Sequence, residues 1–368
     1  MNIKTKTWIL AFQLLILWSF IFCLSQFPSF VNSYSQLLYP HIQSVRLMVF
    51  DISPMSIGDI VYVLLGGWLL LTLLRWVYYI RKWRVYSDKL AESFLNLLNT
   101  VLLAYFLFLL FWGANYNKEP LGKSWELPMA PKQSRQERRA SDLASVIAFN
   151  EFLLTKLNKT APQYSQLPYD QINQRAKAYY RSFTDSRVKE YGLNIKATLF
   201  GYFMQRMSVD GYYNPFTGEG QVNMDVPHYM MPFTVCHEMA HQAGIAAEGD
   251  ANLMSYALCT RSRDLNFQYS AYLNLWLYAN SRLYRYDSAI ANGYEVKLNG
   301  LTRAHIDTLE QINRKYRGLT SRYTAEIYDS YLRMQHQENG IKSYGNVTRE
   351  AWLLEQKHTS RNTPIKIP

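Results

Sequence analysis

The sequence predicts a mainly α protein with a small β-hairpin or sheet: three N-terminal transmembrane helices followed by one extracytoplasmic domain. Three observations carry that reading. The apolar residues are concentrated in three long stretches within the first 112 positions. Most of the remainder shows apolar residues at three-to-four spacing, the signature of amphipathic helices. A short segment rich in glycine, aromatic and β-branched residues interrupts the helical pattern just ahead of His237.

The first stretch, Trp8 to Leu24, is broken only by Gln13 and Ser19. Ile57 to Ile80 is charged only at Asp59 and Arg75, both near its ends, and Phe94 to Trp112 has its few polar residues near its entry. Each approaches the roughly 20 residues that cross a bilayer, so spans are expected at about 8–24, 57–80 and 94–112. Trp8, Trp68, Trp76, Trp83 and Trp112 suit interfacial anchors. The first stretch lacks a small-residue cleavage site and reads as a retained anchor rather than a signal peptide. Residues 1–113 are thus read as a membrane anchor, and the bilayer as a partner.

The 368-residue chain carries a formal charge of +11. Much of that charge flanks the spans: Lys4 and Lys6 before the first, and Arg75, Arg81, Lys82, Arg84 and Lys89 around the second connection. The stretch from Ser25 to Ser56, read as a loop rich in proline and serine, has Arg46 as its one lysine or arginine. The positive-inside rule places the N-terminus and the Arg81–Lys89 connection in the cytoplasm, and everything after the third span outside it. Basic charge explained in this way makes no case for nucleic acid as a partner.

Residues 114–133 read as a connector, with Pro120, Gly122, Pro128 and Pro131 breaking any regular pattern. The domain expected over 134–368 opens with a helix carrying Leu143, Val146, Ile147, Phe149, Phe152, Leu153 and Leu157, and a second helix is expected within Tyr169 to Phe183. Thr198-Leu199-Phe200 and Tyr202-Phe203-Met204 favour strands, and a second short strand should end near Val222-Asn223. Such strands are either a substrate-binding edge or an ordinary hairpin packed on the helices. Beyond Asp250, helices are expected at Leu253–Thr260, Leu265–Tyr284, Arg303–Tyr316 and Ser321–Gln337, with a short one near Arg349–Gln356.

His237-Glu238-Met239-Ala240-His241 carries the chemistry. Two histidines at i and i+4 share one helix face and can grip one metal ion. Glu238 lies about 100° round the helix, poorly placed as a ligand and well placed as a general base. Gly244 can end that helix in the left-handed conformation and turn the chain back. A catalytic zinc needs a third protein ligand, and Glu248 is the first candidate, with Asp250 behind it. If a helix begins near Glu248, Asn252 falls one turn on and can hydrogen-bond a ligand histidine. Cys236 and Cys259 read as buried free thiols. A helix running straight on from Glu248 would carry Cys259 about 16 Å along its axis, too far for a bridge. Tyr344 and His305 are outside candidates for stabilising an oxyanion.

With these residues in place, the chain resembles the DUF3810 family of bacterial membrane proteins. The resemblance rests on the three spans, Asn115-Tyr116-Asn117, Asn214 to Glu219, His237 to Asn252, and Ser343-Tyr344-Gly345. It implies the architecture above, a bacterial inner-membrane location with a periplasmic C-terminal domain, and the expectation of a metallopeptidase. Glu248-Gly249-Asp250-Ala251-Asn252 is similar to the E-x-x-x-D pattern of gluzincins, with Asn for Asp. Ala247 stands where metzincins carry their third histidine, which excludes a standard metzincin site.

The function expected is therefore a membrane-anchored, zinc-dependent peptidase with a zincin-like extracytoplasmic domain, acting on a peptide or protein. His237, His241 and Glu248 would hold one zinc ion, with Glu238 as the base. The alternative is a non-catalytic domain that binds a metal or a partner at the membrane. An intramembrane protease would need the motif inside a long apolar span, which Met231 to Asn252 is not.

Overall fold

The computed structural model describes residues 3–128, 134–183, 192–316, 318, 326, 330 and 344–361. It is mainly helical, with one small three-stranded sheet. It divides into two compact units, Met1–Lys118 with Asn214–Glu219, and Glu119–Tyr213 with Gly220–Pro368.

In the first unit, α1 (Ile3–Gln26), α4 (Ile57–Arg81) and α5 (Trp83–Phe111) are long and apolar enough to cross a membrane. The third begins eleven residues earlier than the apolar stretch at Phe94, because amphipathic sequence prolongs the helix. The expected loop between the first two spans is largely helical instead: α2 (Pro28–Ser33), a π-helical turn (Tyr34–Leu38) and α3 (Tyr39–Phe50). Pro28 and Pro40 sit in the first turns of α2 and α3. There the missing N–H costs nothing and the fixed φ favours a helix, so these prolines start helices rather than break them.

Asn214–Glu219 is held in this unit by backbone and carboxylate hydrogen bonds. Gln43 Nε2 donates to the Gly218 carbonyl at 2.9 Å. The Glu219 carboxylate accepts from the backbone N–H groups of Ile57 at 3.2 Å and Gly58 at 2.6 Å. A buried negative charge thus meets the N-terminal amides and positive dipole end of α4. Gly58 is required by proximity, since a Cβ there would lie 2.4 Å from Asn214 Nδ2.

The second unit is built from α6 (Leu121–Ser124), α7 (Arg135–Thr160), α8 (Tyr169–Ser182), α9 (Gly201–Met207), α10 (Met231–Gln242), α11 (Glu248–Arg261), α12 (Leu265–Tyr286), α13 (Ser288–Val296), α14 (Gly300–Tyr316) and α15 (Tyr344–Arg361). Leu153, Leu157, Phe149, Tyr256, Phe267 and Trp276 form the centre of its core. The expected connector is partly built into that core, through Leu121, Trp125 and Leu127. Arg282 clamps Asp142 with two bonds of 2.6 Å, tying α12 to α7. The helix expected over Ser321–Gln337 lies outside the described residues, apart from Glu326 and Ser330.

The sheet has the order β1 (Ile195–Ala197), β3 (Gly220–Val222), β2 (Gly211–Tyr213). β1 runs parallel to β3, with Lys196 opposite Gln221, and β2 runs antiparallel to it, with Tyr212 opposite Gln221. The strands expected at Thr198–Met204 are not strands. Residues 198–200 lead into α9, which ends at Ser208 in the left-handed conformation, φ 57°. Tyr202 and Phe203 point to solvent while Met204 is buried. Aromatic β propensity reflects packing on a half-buried sheet, and among the described residues Tyr202 and Phe203 have no strand to pair with.

Replacing Glu219 with glutamine should remove the charge that receives two amides, at a cost of about 1–3 kcal/mol. The expected outcome is a lower thermal midpoint for the detergent-solubilised protein; an unchanged midpoint would contradict the capping role.

Candidate metal centre

The site is a helical hairpin. α10 begins against α12, where Ser270 Oγ accepts from Phe233 N–H at 3.1 Å and donates to the Met230 carbonyl. It ends at Gly244, φ 86°. Gly244 N–H bonds the His241 carbonyl at 2.8 Å and Ile245 N–H bonds that of Ala240 at 3.0 Å, the paired bonds of a Schellman motif. The chain then reverses, and α11 starts at Glu248 and packs back along α10, with Ser255 Oγ donating to the Phe233 carbonyl at 2.7 Å.

That reversal brings His237, His241 and Glu248 together, each offering a ligand atom within 4.8 Å of the others. His237 Nε2 lies 3.2 Å from Glu248 Oε2, and His241 Nε2 lies 3.5 Å from Oε1. His241 Nδ1 is 2.7 Å from the Ile245 carbonyl. A carbonyl only accepts, so Nδ1 carries a proton, and Nε2 is the nitrogen turned to the cluster. Asn252, one turn beyond Glu248, lies beside His237 and favours its charged form. Asp250 is not brought into the cluster; it stands in the first turn of α11.

The residues fit a metal. Two imidazole nitrogens and a carboxylate are a zinc-type donor set, and bonds of about 2.0–2.1 Å imply a tetrahedral edge of roughly 3.3 Å. The separations of 3.2 and 3.5 Å bracket that edge. Glu238 Oε2 is buried without a hydrogen-bond partner. It is a polar atom that a hydrated centre would engage.

Charge is arranged around this buried cluster. Burial lowers the His237 pKa. Burial opposes the charge of His241 too, but the adjoining Glu248 outweighs it and carries His241 up to about 9. Glu248 is held well below the usual carboxylate range, against its burial, by the two histidines. Glu238 is pushed up to about 8 by burial, with repulsion from Glu248 and Asp210 adding to it and His241 opposing it.

The sheet presses its backbone on Glu238. A Cβ at Gly211 would lie 2.6 Å from Glu238 Oε1 and 2.8 Å from the Gln221 carbonyl. Gln242, the residue after the motif, accepts from Asn194 N–H and donates to the Asn194 carbonyl, both at 3.0 Å. It thereby pins the start of β1 to α10. Tyr213 on β2 sets its ring 6.4 Å from that of His241.

Sequence reasoning missed Asp210, Gly211, Gln242 and Tyr278. Burial and the charges of Asp210 and Glu248 raise the pKa of the Tyr278 hydroxyl, which therefore keeps its proton. Only Gln242 stood next to a recognised motif, and six tyrosines between 256 and 286 masked Tyr278. His305 belongs elsewhere: it stacks on Tyr229 at 3.8 Å, and its Nδ1 meets Tyr269 Oη at 2.8 Å. The Tyr344 side chain lies outside the described residues. Glu219 caps α4 in the first unit. Cys236 and Cys259, expected to lie far apart, are buried neighbours with both thiols free, because α11 doubles back along α10.

Two outcomes follow from this geometry. A divalent cation must displace the His241 proton, so its apparent affinity should rise about tenfold per pH unit up to about 9. Competition with a chromophoric chelator between pH 6.5 and 8.5 measures this, and a flat profile would contradict it. Gly211→Ala should drive Glu238 or β2 out of place while metal stoichiometry holds, read as wild-type zinc content with the crystallographic position of β2 shifted.

The model of one protein family, described as a protein of unknown function (DUF3810), matches residues 34–351. Neither curated proteins nor solved structures yield a match to the chain. With well over half of its length covered, the chain belongs to the DUF3810 family.

Proposed function

We propose that this protein is a membrane-anchored zinc peptidase with a zincin-like domain, in which His237, His241 and Glu248 hold one zinc ion. The convergence of their three ligand atoms within 4.8 Å of one another, with each imidazole Nε2 3.2–3.5 Å from an oxygen of the Glu248 carboxylate, is the observation that carries the reading. When bound, zinc supplies Lewis acidity, polarising a peptide carbonyl and bringing the pKa of water toward about 7.

The remaining roles fall to this chain's own groups. Glu238 Oε2, buried without a partner, takes a proton from the attacking water and delivers it to the leaving amine. Its raised proton affinity suits both steps, since a base that held the proton too weakly could not carry it. β2 lies at the edge of the sheet, where a substrate strand can add main-chain hydrogen bonds. The backbone of that strand touches Glu238 at Gly211, so a peptide laid along it passes the base. Tyr278, which keeps its proton, is suited to donate a hydrogen bond to developing negative charge.

The basic residues flanking the spans support a cytoplasmic N-terminus and a catalytic unit on the outer side of a bacterial inner membrane. The substrate would be a peptide or protein on that side.

Metal analysis of the purified protein tests the assignment. One zinc per chain is expected in wild type, lost in His237→Ala and retained in Glu238→Gln. Peptide hydrolysis should fall by at least about a thousandfold in Glu238→Gln, the scale of a missing general base with its proton transfer. Zinc bound at full stoichiometry with no hydrolysis of a peptide library by wild type would favour a metal-stabilised binding module instead.

A further inference from the structure

Helix α9 is docked by one side and shows the other to solvent. Met204 is 2% exposed, and Gln205 Oε1 accepts from Asn223 Nδ2 at 2.9 Å. Tyr202 and Phe203 fall on the opposite side, as about 100° per residue requires. They are 58% and 62% exposed, and Leu199, just ahead of the helix, is 50% exposed. The two rings meet edge to face at 5.7 Å. Large apolar side chains gathered in this way at the surface mark an interaction site.

The chemistry of this face and its tether select the partner. Arg206, one turn beyond Tyr202, donates to the Tyr202 hydroxyl at 2.8 Å and sets its guanidinium 5.6 Å from that ring. Asp225 is exposed beside the helix, 3.4 Å from where a Cβ on Gly201 would stand. Its charge offsets that of Arg206, so apolar contact dominates. Tyrosine, phenylalanine and leucine beside an arginine that can reach outward are the residue types that settle at a membrane–water interface. Chain length keeps the face near one. The Glu219 carboxylate accepts from the amides of Ile57 and Gly58, at the start of the apolar helix α4. Asn223, which bonds Gln205 of α9, follows Glu219 by four residues, a reach of at most about 14 Å. The covalent chain therefore ties α9 to the end of α4, the level at which a span meets the headgroups.

We propose that Leu199, Tyr202 and Phe203 form a lipid-contact surface, which enters the headgroup boundary of the leaflet at the N-terminal end of α4. The partner is a zwitterionic lipid surface, met by an apolar wedge rather than by charge. Such a face sinks about 5–10 Å, enough to bury both rings while Arg206 stays among the headgroups. The proposal rests on α4 crossing the bilayer and is independent of the peptidase reading.

The test uses the full-length protein in phosphatidylcholine vesicles. Cys23→Ser removes the one thiol that is not buried, and a nitroxide label is then placed at one new cysteine at a time. Power saturation compares collisions with oxygen, which concentrates in lipid, and with a water-soluble nickel chelate. A label at Phe203→Cys should meet oxygen more than nickel, as a label at Leu70→Cys in α4 should. A label at Val296→Cys, an exposed site on α13, should show the reverse. Leu199→Glu combined with Tyr202→Glu should move the label at position 203 to the Val296 pattern and leave the label at position 70 in lipid. Water contact at position 203 with lipid contact at position 70 overturns the proposal. So does shielding of position 203 from both reagents, which would mean that a second copy or another protein covers the face. A lipid pattern at position 203 that survives the two glutamates overturns it as well. Water contact at position 70 would remove the crossing of α4 itself, and the proposal with it.

Discussion

The reversal of the chain between α10 and α11 is the constraint on which the site depends. An α-helix alone can present His237 and His241 on one face, but a third ligand must come from elsewhere, because the next same-face positions move away along the axis. Five residues, Ala243 to Ala247, separate the helices. A connection that short closes only if the backbone turns sharply, and Gly244 at φ 86° makes the turn without the penalty a Cβ would bring. The same turn offers the Ile245 carbonyl to His241 Nδ1, so the feature that delivers Glu248 also sets the tautomer of a histidine facing it.

Once the hairpin is closed, its electrostatics follow from burial. Glu238 is 3% exposed and Glu248 7%, so neither carboxylate has water to spread its charge. Glu248 stays ionised because two imidazoles face it, whereas Glu238, one residue from His237, has no direct partner for Oε2 and gains proton affinity. Two glutamates ten residues apart are thus driven in opposite directions by their neighbours alone. That separation between an ionised carboxylate and one of raised proton affinity is what the proposed metal-assisted hydrolysis requires.

How much of this was legible in the sequence depended on whether the signal was local. The three apolar spans, the i and i+4 histidines, the glycine turn and a helix starting at Glu248 are local patterns, and the structure places His237, His241 and Glu248 within 4.8 Å of one another. Residues whose position depends on distant partners were not legible. Tyr202 and Phe203 looked like strand residues because propensity cannot tell a missing strand partner from a present one. Pro28 and Pro40 looked like loop residues because the same side chain that breaks a helix interior is suited to its first turn. Cys236 and Cys259 were placed apart by measuring along one helix, which ignores the antiparallel return that makes them neighbours. Glu219 shows no pattern at all until Ile57 and Gly58, more than 160 positions earlier, offer it their amides.

The sheet shows why its two glycines matter more than its size. Three strands of three residues are too short to be stable alone and must gain their stability by docking. The docking surface is α10: a Cβ at Gly220 would meet Ile195 at 2.5 Å and Glu238 Cβ at 3.4 Å, and one at Gly211 would meet the Glu238 carboxylate itself. Side chains at these positions would hold the strands off the helix, so glycine sets the distance between the strand edge and the base. Gln242 fixes β1 to the same helix through the Asn194 backbone. The strands and the base therefore share one rigid reference, α10. In the proposed peptidase, a peptide aligned on β2 would be aligned on Glu238 without any further device.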